Sequence, residues 1–241
     1  MREAVMNGEF YVGYTAKAPP MLARRIRGIT LALVLGAVAI AVALVYAQAP
    51  FAASKFEFGE IREYEGVIAT RPYPILFTRD AQFLLVAPGK HGLSSDGIDG
   101  QRVRLKGSLI ERGSEAMLQV EPASLKSLSE VRASSPSVQL GHVVLTGEIV
   151  DSKCYLGVMN PGNGKVHRDC AARCISGGIP PAFVARDASG VARTFLLAGI
   201  DRKETLGYVA EPVEISGRVE QIGTQFVLNA EGIKRGSRRI P

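Results

Sequence analysis

The sequence predicts a mainly β protein, with tandem small OB-like β-barrels after one N-terminal transmembrane helix. Three observations predict it: an uncharged apolar run from Gly28 to Pro50, two later segments of short alternating runs bounded by Gly and Pro, and a match in order and type between those segments. A hydrophobic fraction of 46% and a mean hydropathy of +0.12 over 241 residues fit one span plus a globular part, not a polytopic bundle.

The expected order is a cytoplasmic N-terminal segment over 1–28, a transmembrane helix over 29–47 and a small-residue linker over 48–58. Lys17, Arg24, Arg25 and Arg27 precede the apolar run, and no charge follows it until Lys55. Basic flanks stay on the cytoplasmic side, so the bulk of the chain is expected on the far side, facing the periplasm of a bacterial inner membrane. Ala47-Gln48-Ala49 also has the small-x-small form of a signal-peptide cleavage site. Pro50 just after the cut and the 28-residue leader favour an uncleaved anchor. Net charge is +6 with a pI near 9.3. Part of the excess is the anchor flank and Lys234, Arg235, Arg238 and Arg239 near the C-terminus, with a basic tail over 236–241. A basic pI raises nucleic acid as a candidate, but a domain exported across a membrane does not meet it, so no nucleic-acid partner is expected.

The first β repeat is expected over 59–132, a linker over 133–140 around Ala133-Ser134-Ser135-Pro136-Ser137, and the second repeat over 141–235. In the first, Gly66-Val67-Ile68, Phe83-Leu84-Leu85, Val103 to Ile110 and Met117-Leu118 follow one another. Gly147-Glu148-Ile149, Phe195-Leu196-Leu197, Val213 to Glu220 and Phe226-Val227-Leu228 do so in the second. Gly107 to Gly113 and Gly217 to Gly223 have the same spacing, as expected for a bulge or bend followed by a tight hairpin turn. Strands that wet one face and bury the other need closure to hide their edges, which favours small barrels.

The copies differ in one interval. Gly66 to Phe83 is 17 positions and Gly147 to Phe195 is 48, an insertion of 31 residues that carries all three cysteines. Asp151-Ser152-Lys153-Cys154 opens it, and His167-Arg168-Asp169-Cys170-Ala171-Ala172-Arg173-Cys174 reads as a short helix with Asp169 as N-cap, ended by Gly177-Gly178 and Pro180. Cys170 and Cys174 then share a face, with His167 in reach and Cys154 arriving from the preceding strand. Three chemistries fit. An oxidising compartment favours a disulfide from Cys154 to one of the others, since i,i+4 Cβ atoms stand too far apart for Cys170 to bridge Cys174. Cys154, His167, Cys170 and Cys174 also form a candidate metal set for zinc or copper. Cys170, near a helix N-terminus and Arg168, is the candidate reactive thiol. Asp151 either caps the turn at Cys154 or orients a ligand, with Asp169 and Arg168 beside it.

No C-x-x-C-H, phosphate loop or G-x-S-x-G is present, and nothing marks a hydrolase or a nucleotide enzyme. His91 and His142 read as surface residues. The pattern Gly147-x-Ile149-x-Asp151-x-x-Cys154, His167-x-x-Cys170-Ala171-x-x-Cys174, Gly178-x-Pro180 resembles a widespread group of exported or membrane-anchored bacterial proteins with no settled activity, over about the last 95 residues. The resemblance implies a periplasm-facing β domain. A looser, architectural similarity is to the haem chaperone of cytochrome c maturation, but His91-Gly92-Leu93-Ser94-Ser95 does not match that family's haem-attaching motif. The function class expected is a non-enzymatic accessory or binding protein acting with another membrane or periplasmic protein. The alternative is a redox protein, a thiol oxidoreductase or a metal- or haem-handling electron-transfer subunit.

Overall fold

The computed structural model describes residues 19–48, 54–130, 137–186 and 191–236. The chain divides into two units, Met1–Ala52 and Ala53–Pro241. The first carries α1 (Pro20–Gln48), whose stretch Pro20–Ala47 is long and apolar enough to cross a membrane. The helix starts earlier than the apolar run because Met21 to Arg27 contains no helix breaker, so the basic turn continues the same hydrogen-bond ladder. Residues 49–53 of the expected first linker and 133–136 of the second lie outside the described residues, as do the tail beyond Gly236 and the segment before residue 19.

The second unit is mainly β. In chain order it has β1 (Ser54–Phe56), β2 (Arg62–Ala69), β3 (Ile75–Phe77), β4 (Gln82–Val86), β5 (Gln101–Arg112), β6 (Glu115–Val120) and β7 (Lys126–Glu130). Then come β8 (Ser137–Asp151), α2 (Arg168–Ser176), β9 (Pro181–Arg186), β10 (Ala192–Ala198), α3 (Arg202–Leu206), β11 (Pro212–Ile222) and β12 (Gln225–Arg235). Two five-stranded rings result. In the first, β2 pairs β3, β3 pairs β4, β4 pairs β6 in parallel, β6 pairs β5, and β5 closes on β2. In the second, β8, β9, β10, β12 and β11 follow the same cycle, and β10–β12 is again the one parallel pair. Each ring thus has its strands in the order first, second, third, fifth, fourth, the connectivity of an OB barrel.

The repeat extends to single residues. Gly107 opposes Val120 and Gly217 opposes Ala230, and at both glycines a Cβ would press on a carbonyl of the facing strand, Gln119 or Asn229. The strand can bend sharply there only without a side chain. The expected bulge is present at Ser216/Gly217. Two boundaries differ from expectation: β1, in the expected linker, adds to the far end of β5, and β8 begins at Ser137 because its outer half forms an exposed ribbon with β11.

The three largest apolar clusters follow from period-two alternation. Ile68, Phe83, Leu85, Val103, Leu105 and Leu118 fill the first barrel; Ile149, Phe183, Phe195, Ile215 and Leu228 fill the second. The alternate residues point out of both barrels and meet: Ile75, Leu84, Val86 and Met117 from the first, Leu196 and Val227 from the second, with Leu156 and Ile179 of the insertion between them. This is why Phe83 to Val86 is buried throughout instead of alternating. Polar contacts fix the junction: the Gln82 side chain donates to the Ile222 carbonyl and accepts from the Thr224 amide, at 3.0 Å each. The Arg112 guanidinium stands 4.3 Å over the ring of Tyr155.

Candidate functional site: a three-thiol cluster between the barrels

Where the first barrel joins β2 to β3 through residues 70–74, the second joins β8 to β9 through residues 152–180. This long connection folds under the first barrel. Asp151, the last residue of β8, is fully buried, and its Oδ1 accepts the amide of Cys154 at 2.8 Å, turning the chain into a tight helical turn over Cys154–Val158. Its other oxygen, Oδ2, lies 2.9 Å from Nε2 of His167, itself buried. Asp151 therefore both caps the turn and holds a histidine. Burial pushes the nearby Glu148 carboxyl up, against the Gly164 amide that it accepts.

The helix α2 begins one residue before Asp169, which is not its N-cap. The turn Lys165–His167 runs directly into it, so His167 takes the cap position, while Asp169 sits in the first turn beside the positive end of the dipole. Ala171, Cys174 and Ile175 face inward. At the other end Gly178 takes φ +103°, the amide of Ile179 donates to the carbonyl of Cys174 and that of Gly178 to Ile175, a Schellman termination.

The Sγ atoms of Cys154, Cys170 and Cys174 lie within 4.8 Å of one another; Cys154 and Cys174 are buried, Cys170 half-buried, and all three are free thiols. The expected set of three cysteines and His167 does not form as one group. Among the described residues the ligating atoms fall into two triads that share Cys154, the three thiols on one side and Asp151, Cys154 and His167 on the other. The Asp151 carboxylate holds the imidazole on the Cys154 side of the cluster.

Arg168 is not the cation at the thiols either, because its guanidinium pairs with Glu211 at 2.8 Å. The cation comes from the first barrel. Lys90, in the loop after β4, sets its Nζ 2.8 Å from Cys170 Sγ and 3.7 Å from Cys174 Sγ. Lys153, buried beside Cys154, donates to the carbonyls of Ala87 and Gly89 at 2.9 and 2.8 Å and so anchors that loop. The loop lies close on the end of α2: the Gly92 amide donates to the Gly177 carbonyl at 3.1 Å, and a Cβ on Gly177 would run into the carbonyl of Lys90.

Electrostatics follow the contacts. The hydrogen bond from the Cys154 thiol, aided by the Lys90 charge and by Cys170, outweighs burial and draws Cys174 down to about 7. Cys154 is pushed up, as the donor in that bond and by burial beside Asp151. Lys90 is raised by its bond to Cys170, and burial lowers Lys153. Cys174 thus lies between a thiol donor and an ammonium, surroundings that favour its ionised form.

The donor set suits a soft metal ion. Metal–sulfur bonds of about 2.3 Å put three sulfurs roughly 4 Å apart around one ion, a spacing that three Sγ atoms within 4.8 Å of one another reach by small side-chain rotations. His91 is exposed in its turn, and His142, on the exposed part of β8, lies 3.3 Å from Glu231. Lys90 and Lys153 belong to the site without being part of any motif in the sequence. Lys153 adjoins Cys154 in sequence, which was a usable signal, whereas Lys90 is 80 residues from Cys170 and no local pattern points to it. No protein family and no curated protein matches the chain.

Proposed function

We propose that this chain is a membrane-anchored accessory protein, non-enzymatic, whose two barrels face the periplasm from a bacterial inner membrane and whose insertion holds a soft metal ion near a membrane or periplasmic partner. The observation that carries the reading is the convergence of Cys154, Cys170 and Cys174 under a lysine supplied by the other barrel. Thiolates select copper and zinc over the harder ions. The basic residues ahead of the apolar helix support a cytoplasmic N-terminus, and the bacterial setting rests on the motif resemblance.

A second reading, a redox protein, is favoured by the Cys154–Cys174 hydrogen bond and the lowered Cys174, the features of a thiol pair poised for oxidation. Native mass spectrometry of the full-length protein, purified in detergent without reductant or chelator, separates the two. The accessory reading expects a metal ion that is lost on denaturation and absent from Cys154→Ser. A metal-free chain lighter by two hydrogens would favour the redox reading.

A further inference from the structure

We infer that the thiol cluster is a three-coordinate Cu(I) site, entered through Cys170 and charge-balanced by Lys90 and Lys153. The inference rests on the soft-metal reading and deepens it by naming the ion and its route.

Coordination number is the first argument. A structural zinc site takes four protein ligands, yet the fourth candidate, His167, is held by Asp151 in the other triad. The group that does stand over the sulfurs is the ammonium of Lys90, which has no lone pair to give while it donates to Cys170 and Cys174. Among the described residues no further His, Cys, Asp or Glu atom groups with all three sulfurs, and three thiolates alone suit Cu(I), a soft ion.

Charge is the second. Three thiolates around Cu(I) leave a doubly negative complex, against a singly negative one around Zn(II). Two ammonium groups serve the cluster: Lys90 touches two of its sulfurs, and Lys153 is held beside Cys154 by two backbone carbonyls. Asp151 is already committed to His167 and the Cys154 amide.

Access is the third. Cys154 and Cys174 are 4% and 2% exposed, whereas Cys170 is half-buried beneath the exposed Lys90. A Cu(I) thiolate donor therefore meets Cys170 first. Transfer is ligand exchange: each copper–sulfur bond to the donor is replaced by one to Cys170, Cys154 or Cys174. Each protonated thiol that becomes a ligand passes its proton to the departing donor thiolate. Copper stays Cu(I) and no sulfur is oxidised.

The test uses the full-length protein in detergent, reduced and anaerobic. It is titrated with Cu(I) against a chromogenic chelator and separately with Zn(II), and the copper-loaded form is examined by X-ray absorption. Cu(I) should be held in preference to Zn(II), with three sulfur neighbours at about 2.3 Å. Lys90→Met should weaken Cu(I) by about tenfold, the scale of one lost hydrogen bond to a charged group, and Lys90→Arg should restore most of it. Cys170→Ser should leave two sulfurs and slow uptake from Cu(I)–glutathione. Zn(II) preferred over Cu(I), or a nitrogen in the copper shell, overturns this inference and leaves the soft-metal reading standing. If neither metal is held, both fall. Circular dichroism of each metal-free variant separates a lost ligand from a lost fold, and the Lys90 pair decides the matter if Cys170→Ser does not fold.

Discussion

Asp151 shows how a single side chain divides the insertion into two chemistries. A carboxylate buried at the end of a strand needs partners for both oxygens, and it takes the Cys154 amide with one and the His167 ring with the other. The sequence puts His167 within reach of the cysteines, but spacing alone does not reveal that a buried carboxylate competes for it. Glu148, three residues earlier on β8, carries the residue-scale prediction. Burial holds its carboxyl above the ordinary value of 4.5, so the folded state binds this proton more tightly than the unfolded chain does. Below pH 4.5 both states are protonated and nothing is lost; as pH rises through the folded value, ionisation costs stability. Glu148→Gln keeps an oxygen for the Gly164 amide and should melt higher than the wild type at neutral pH, an advantage that fades as the pH falls toward 4.5. Melting curves across that range check it, and an advantage that grows on acidification would contradict it.

At the scale of elements, the strands are the legible part. Val103, Leu105, Val213 and Ile215 announce their alternation locally, and the Gly107/Gly217 and Gly113/Gly223 pairs locate the same bends and hairpins in both copies. The start of α2 is less legible, because a preceding tight turn moves the cap from Asp169 back to His167. Its end is well marked, and Gly177 there does more than stop a helix. It lets the loop bearing Lys90 lie against the carboxyl end of α2. Gly177→Ala should therefore cost about 1–3 kcal/mol, the range for overpacking a close contact. It should also lift Lys90 from the thiols, read as faster alkylation of Cys170 by iodoacetamide. Unchanged stability and unchanged alkylation would show that the loop does not bear on the helix.

For the whole molecule, the junction between the barrels is what the sequence conceals. Tandem copies with a linker read as two modules, yet Leu84, Met117, Leu196 and Val227 make a shared apolar layer with the insertion inside it. Their burial was hidden because a strand covered on both faces loses its alternation. Lys90 was hidden for the same reason of scale, since only the packing of one barrel on the other brings it to Cys170. Leu84→Ala at this layer should cost about 2–5 kcal/mol, with both barrels unfolding in one transition by chemical denaturation. Two separate transitions, only one of them shifted, would mean that the barrels are independent.

Whether three cysteines distant in sequence act as one set is reported by arsenite, which binds three thiolates at once, without regard to the natural ligand. The reduced full-length protein is treated with arsenite, then with an alkylating agent, and weighed intact. A single arsenic adduct is expected, in which Cys154, Cys170 and Cys174 are all protected from alkylation, and which Cys154→Ser does not form. An adduct that leaves any one of the three freely alkylated would contradict it.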